Sequence, residues 1–313
     1  MDNLIFSLNS TMPLFLVMAV GYFLKRKKML TPAFSAAAEK FNFDVTLPAL
    51  LIRDLSGIDF AGTFDLKFIL YCAGATTGFF GLAWLGARLF IKEKASIGAF
   101  VQASCRSSAA VLGIALIQNM YGTSGMAPMM IIGAVPLFNI FSVLVLTLEN
   151  PENKGKGALK KAFLNILKNP IIIGIVIGAA ISISGIQFPT IVTKTVDNIA
   201  AMATPLALII LGGSIKFSKT MGYFKQIVTG LLGKLVVVPA IFLPIAAAIG
   251  FRSQDMAVLI SLYCSPVAVS SFVMAQQMDS DGDLAGQFVV LGAALSVVTI
   301  FLWVFLFKNL GLL

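Results

Sequence analysis

Apolar runs near the roughly 20 residues that cross a bilayer follow one another along almost the whole chain, separated by short polar turns. They predict helices over about 4–24, 33–53, 66–91, 95–120, 127–148, 169–186, 191–213, 222–250, 254–278 and 284–308. The one long polar interruption, "ENPENKGKGALKKAF", sits mid-chain, and residues 149–165 read as a linker. Two runs break the pattern by carrying polar groups inside. The fourth holds Arg106, Ser107, Ser108 and Gly113; the ninth holds Ser265, Pro266, Ser270 and Ser271.

The halves on either side of the linker resemble each other. Pro13, Pro32, Pro48 and Gly21 recur 157 residues later as Pro170, Pro189, Pro205 and Gly178. At a shift of 158, Gln118–Met120 returns as Gln276–Met278 and Ala127 as Ala285. Proline marks helix breaks and ends, so matching proline spacing is matching architecture. Residues 1–148 and 166–313 therefore read as two five-helix repeats. An odd number of spans makes the second repeat enter from the opposite side. The expected fold class is an all-α integral membrane protein of ten transmembrane helices, built as inverted repeats.

Loop charge sets the expected orientation. With the amino end outside, inner loops carry fifteen basic residues, among them Lys25–Lys28, Lys154, Lys156, Lys160 and Lys161. Outer loops carry five: Arg53, Lys67, Lys194, Arg252 and Lys308. Cytoplasmic loops collect such residues, so both termini are expected outside a plasma or inner membrane and the linker inside. The cations "KRKK" follow the first apolar run, the reverse of a signal peptide, so that run reads as a retained helix.

Composition agrees and narrows the classes. Of 313 residues, 58% are hydrophobic and 12% charged, with mean hydropathy +0.94, leaving no room for a soluble domain. The net charge of +9 belongs to membrane-facing loops and implies no nucleic-acid partner. There is no histidine, and Cys72, Cys105 and Cys264 have no metal or redox spacing. That leaves no metal site, cofactor or catalytic set to expect.

Small hydroxylated residues beside proline or glycine suit interrupted helices, because they re-satisfy freed backbone groups. Two such helices crossing at mid-membrane would aim half-helix ends at one point. Arg106, some twelve residues into its span, is too deep for easy snorkelling. Three readings stay open: a bidentate contact with a substrate carboxylate, structural pairing with Asp44 or carbonyls, or a shifted span. Asp44, before Pro48, either carries a proton or sodium ion or is a fixed counter-charge to Arg106 or Lys234. Lys234, in "LLGKLVVVP", reads as packing or snorkelling. Asn139, in "VPLFNIFSV", faces a helix neighbour or the substrate path.

Several segments resemble the auxin efflux carrier family, which includes plant PIN carriers and bacterial malate and malonate permeases. They are "VTLPALL", "KNPIIIGIVIGAAISISGI", "ATPLALIILGGSI", "VLGIALIQNMYG" and "SPVAVSSFVMAQQMDSD". The resemblance implies a scaffold domain and a transport domain, the broken fourth and ninth helices crossing in the latter, and carriage of small organic anions. Departures sit at the crossing. The family's asparagine falls on Ser108, one proline on Ala115 and another on Ser271, while Gly113 and Pro266 are kept. A milder kink in the fourth helix is expected, and Arg106 favours a compact mono- or dicarboxylate. A sodium-coupled organic-anion or bile-acid-type symporter of similar design is the alternative, and a receptor without transport a more distant one. The coupling ion, proton or sodium, and a homodimeric state are left open.

Overall fold

The computed structural model describes residues 2–56, 65–109, 117, 120–122, 125–151, 163–164, 166–214 and 222–313, with side chains from Met12 onward. Gly113, Ala115 and most of the linker lie outside the described residues. Helix dominates those described, and the only extended pairing among them joins Ser107 to Val267.

In chain order, α1 is Asp2–Arg26, and α2, Pro32–Phe41, runs through a π-turn at Asn42–Thr46 into α3, Leu47–Ser56. Then come α4, Leu66–Phe90, α5, Lys94–Cys105, and α6, Ala127–Glu149. Past the linker are α7, Pro170–Ser184, α8, Thr190–Ala201, and α9, Ala203–Ser214. Next, α10, Phe224–Leu232, passes through a π-turn at Gly233–Val237 into α11, Val238–Ile249. The chain closes with α12, Gln254–Cys264, α13, Ser270–Gln277, and α14, Gly282–Asn309.

Proline explains where the long helices deform. It cannot donate to the carbonyl four residues back, and its ring crowds that carbonyl. Both π-turns end two residues ahead of such a proline: Asn42–Thr46 before Pro48, and Gly233–Val237 before Pro239. The widened turn gives the ring room. Pro239 also leaves the Leu235 carbonyl without its helical donor, and the Trp303 indole N–H of α14 fills that place at 2.9 Å. The step between α8 and α9 at Met202 likewise precedes Pro205, and Asn42 Nδ2 donates to the Ala203 carbonyl there at 3.0 Å.

Five stretches among the described residues are long and apolar enough to cross a membrane: Leu66–Phe90, Ala127–Glu149, Thr190–Ser214, Phe224–Ile249 and Gly282–Asn309. Their outward faces are apolar too. Leu66, Leu70, Leu82, Leu85 and Leu89 of α4 all project away from the protein. In water such a stripe would be a liability; in lipid it is the ordinary surface.

Inside, α1 packs along α9 and α3 along α7, while α4, α5 and α6 form a second set against α12–α14. Glycine permits the tightest contacts. A Cβ on Gly21 would lie 2.0 Å from the Ile209 carbonyl oxygen, so α1 and α9 touch backbone to backbone. A Cβ on Gly178 would lie 3.1 Å from Ile52 Cα, which sets α7 against α3. At the ends, Glu149 accepts from Trp84 Nε1 at 2.5 Å and Arg88 Nε at 2.6 Å, closing α4 onto α6. Asp281 caps α14 and accepts from Ser96 at 2.8 Å and Tyr223 at 3.2 Å.

Candidate functional site

The site is built from two interruptions. Helix α5 ends at Cys105; the Arg106 amide closes it on the Gln102 carbonyl at 2.9 Å, and Arg106 itself is extended (φ −72°, ψ 134°). On the other side α12 ends at Cys264 and Ser265 is extended (φ −61°, ψ 151°) before Pro266. The two extended segments then bond to each other. Ser107 bridges Val267, and the Ser108 amide donates to the Pro266 carbonyl at 2.9 Å. Each break thus meets backbone needs the other creates, which is what allows unwound chain inside a bundle.

This corrects the expected mild kink in the fourth span. The helix stops at Arg106–Ser108, at the polar residues that suggested an interruption, because the partner segment offers hydrogen bonds there.

Arg106 is 4% exposed. Its Nη2 donates to Asn139 Oδ1 at 2.9 Å and to Ser270 Oγ at 2.7 Å, and its Nη1 points at the Met274 sulfur. Arg106 Nε has no acceptor among the described residues. A thioether is a weak acceptor and Nε has none, so the guanidinium keeps unmatched donors. Asn139 is fixed in turn by donating Nδ2 to the Val135 carbonyl of its own helix at 2.9 Å.

Asp44 lies on an exposed face of its π-turn. It is not the counter-charge of Arg106 or Lys234, whose polar contacts are made elsewhere. The reason is geometric: Asn42 and Thr46 take the inward positions of that turn and bond each other. Among the described residues the ion pairs are Arg53–Asp54 and Arg88–Glu149, so neither Arg106 nor Lys234 meets a carboxylate.

A cavity of about 210 Å³ opens beside the breaks, lined by Arg106, Ser107, Ser108, Asn139, Pro266 and Ser270. Apolar side chains of α1, α3 and α9 form its opposite wall. Ser265 and Ser271 do not line it. Ser265 donates to the Ser261 carbonyl of its own helix, and Ser271 offers its carbonyl to Gln102 Nε2 at 2.9 Å, so both brace the breaks from behind.

Two residues escaped the sequence reading, and a third, Lys234, was placed in its span but given no part in the site. Asp54 reaches the cavity while bonded to Arg53 at 2.8 Å. Gln102 ties α5 to α13. Lys234, expected to snorkel or pack, is only 1% exposed, and its ammonium bonds Ser107 Oγ at 2.6 Å. Its signal was available: a lone lysine five residues before a proline, deep in an apolar run.

Interrupted helices braced on each other inside a lipid-suited helical bundle, with a largely apolar cavity carrying a few polar groups at the break, fit a multi-pass membrane protein, and the family match makes it a membrane transport protein rather than an enzyme. The chain matches the family model "Membrane transport protein" over residues 6–304 and belongs to that family, the auxin efflux carrier group. It is 22% identical to the "Uncharacterized transporter YfdV" of Escherichia coli K12, over 96% of this chain and 98% of that one. The same identity and coverage hold for the proteins of that name from E. coli O157:H7 and Shigella flexneri.

Proposed function

We propose that this transporter carries small organic anions, mono- or dicarboxylates, by alternating access, with the anion held beside the two helix breaks. The observation that carries the reading is Arg106: a buried guanidinium on a cavity wall, hydrogen-bonded to no carboxylate among the described residues and holding unmatched donors, while Asp54, which lines the same cavity, is engaged by Arg53. A cation at such depth costs several kcal/mol unless an anion offsets it, on the order of 2.5–3.5 on insertion scales. Planar bidentate pairing makes a carboxylate the natural partner.

The ten-span inverted repeat belongs to the same proposal. Gly21 against Ile209 and Gly178 against Ile52 are one contact seen twice, since both members shift by 157 residues. Related halves entering from opposite sides would bring the fourth and ninth spans together at mid-membrane. The set of α1–α3 and α7–α9 would then be the scaffold, and the helices around the breaks the moving part.

Anion binding to detergent-purified protein, read beside melting temperature, tests the reading. Arg106→Lys keeps charge but loses the fork and should bind more weakly. Arg106→Ala should lose on the order of tenfold or more, as expected for a charge-assisted pair. Unchanged affinity in a normally stable Arg106→Ala protein would sink it.

A further inference from the structure

Lys234 is the second buried cation at the breaks, and nothing above gives it a task. It sits in the π-turn ahead of Pro239, and among the described residues its single hydrogen-bond partner is Ser107 Oγ, at 2.6 Å. It does not line the anion cavity. It lines a separate void of about 10 Å³ with Cys105, Tyr263 and Val238, barely room for one water. Ser107 belongs to both walls, facing the cavity with Arg106 and the small void with Lys234.

An ammonium has donors only, so it occupies a lone pair of the Ser107 oxygen and leaves the hydroxyl hydrogen to find another acceptor. None exists for it among the described residues. The backbone cannot adjust, because Ser107 is held by its bridge to Val267 and its neighbour Ser108 by the Pro266 carbonyl. The hydroxyl rotor is the one freedom left, and Lys234 sets it.

We propose, resting on the organic-anion reading, that Lys234 is a positioning residue that turns the Ser107 hydroxyl into a dedicated donor towards the cavity. A carboxylate there takes the Arg106 guanidinium on one oxygen and the Ser107 O–H on the other. The ammonium behind Ser107 polarises that hydroxyl, which strengthens it as a donor to an anion. The site is therefore selective for oxyanions that present two acceptor oxygens from one centre, and rejects the corresponding amides, whose NH2 would face a donor.

A packing role for Lys234 makes different forecasts, and a double-mutant cycle separates them. Malonate and acetate binding would be measured by calorimetry on purified wild type, Lys234→Met, Ser107→Ala and the double variant. Each single change should weaken binding about tenfold, the scale of one charge-assisted hydrogen bond. The double variant should bind no more weakly than Ser107→Ala, because the lysine acts through that hydroxyl. Lys234→Arg should recover most of the affinity. If Lys234→Met does not fold, Lys234→Gln keeps a donor to Ser107 without the charge and should fall between wild type and Ser107→Ala. Wild-type affinity in Lys234→Met or Lys234→Gln, or additive losses in the double variant, would overturn the proposal and leave the organic-anion reading intact. Wild-type protein that binds neither probe would overturn both.

Discussion

Arg106 is short of acceptors, not of neighbours. Asn139 and Ser270 satisfy one nitrogen, while Met274 offers the other terminal nitrogen only a sulfur. Met274 is fully buried, so a carboxylate placed there stays within the protein's own reach. Met274→Glu should consequently hold its melting temperature, because the new charge pairs with the guanidinium, yet bind malonate at least about tenfold more weakly, since the pair competes with the ligand. Unimpaired malonate binding in a stable Met274→Glu protein would mean that the Met274 side of the guanidinium is not where the anion docks. Which residues gather here was half legible in the sequence. Arg106, Ser107, Ser108, Pro266 and Ser270 announce themselves as polar groups in apolar runs. Lys234 also stands out as a lone cation in an apolar run, but its partner does not, and Asp54 is not marked at all, because which way a helix face turns is decided by neighbouring helices.

At the scale of elements, prolines were the readable part and their consequences were not. "GKLVVVP" shows a proline inside an apolar helix, but not that a π-turn absorbs it or that Trp303, from a helix more than sixty residues away, replaces the missing donor. The replacement is testable. Trp303→Phe orphans the Leu235 carbonyl and should cost roughly 1–3 kcal/mol of stability. In a Pro239→Ala background the restored amide at 239 can serve that carbonyl, so Trp303→Phe should cost less there. Thermal melts of the four proteins read this directly, and an equal loss in both backgrounds would show that Trp303 matters for packing alone. The break at Arg106–Ser108 carries the same lesson. The sequence marks the stretch from Arg106 to Gly113 as unsuited to a plain helix, but not that the chain opens at Arg106–Ser108, where Pro266 and Val267 offer bonds. A contact 160 residues away in sequence, between Ser107 and Pro266's neighbour Val267, is a poor subject for local rules.

For the whole molecule, the proline period and the glycine contacts support the proposed repeat, and the expectation for its direction in the membrane rests on loop charge. Fifteen basic residues on one set of loops against five on the other is a large bias, concentrated in short loops where it counts most. Net charge of the whole chain says less, since Asp and Glu weigh little in orientation. The linker carries Lys154, Lys156, Lys160 and Lys161, so its placement decides the topology of both halves together. Lys194, exposed on α8, belongs to the sparse set and should lie on the opposite face. Single cysteines at these points, in a background where Cys72, Cys105 and Cys264 are already buried, give a clean readout. A membrane-impermeant thiol reagent applied to intact cells should label Lys194→Cys and spare Lys156→Cys until the membrane is opened. Labelling of Lys156→Cys from outside would invert the orientation. Labelling of both from outside would mean that an odd number of crossings does not separate them, and with it the five-plus-five inverted arrangement would fall.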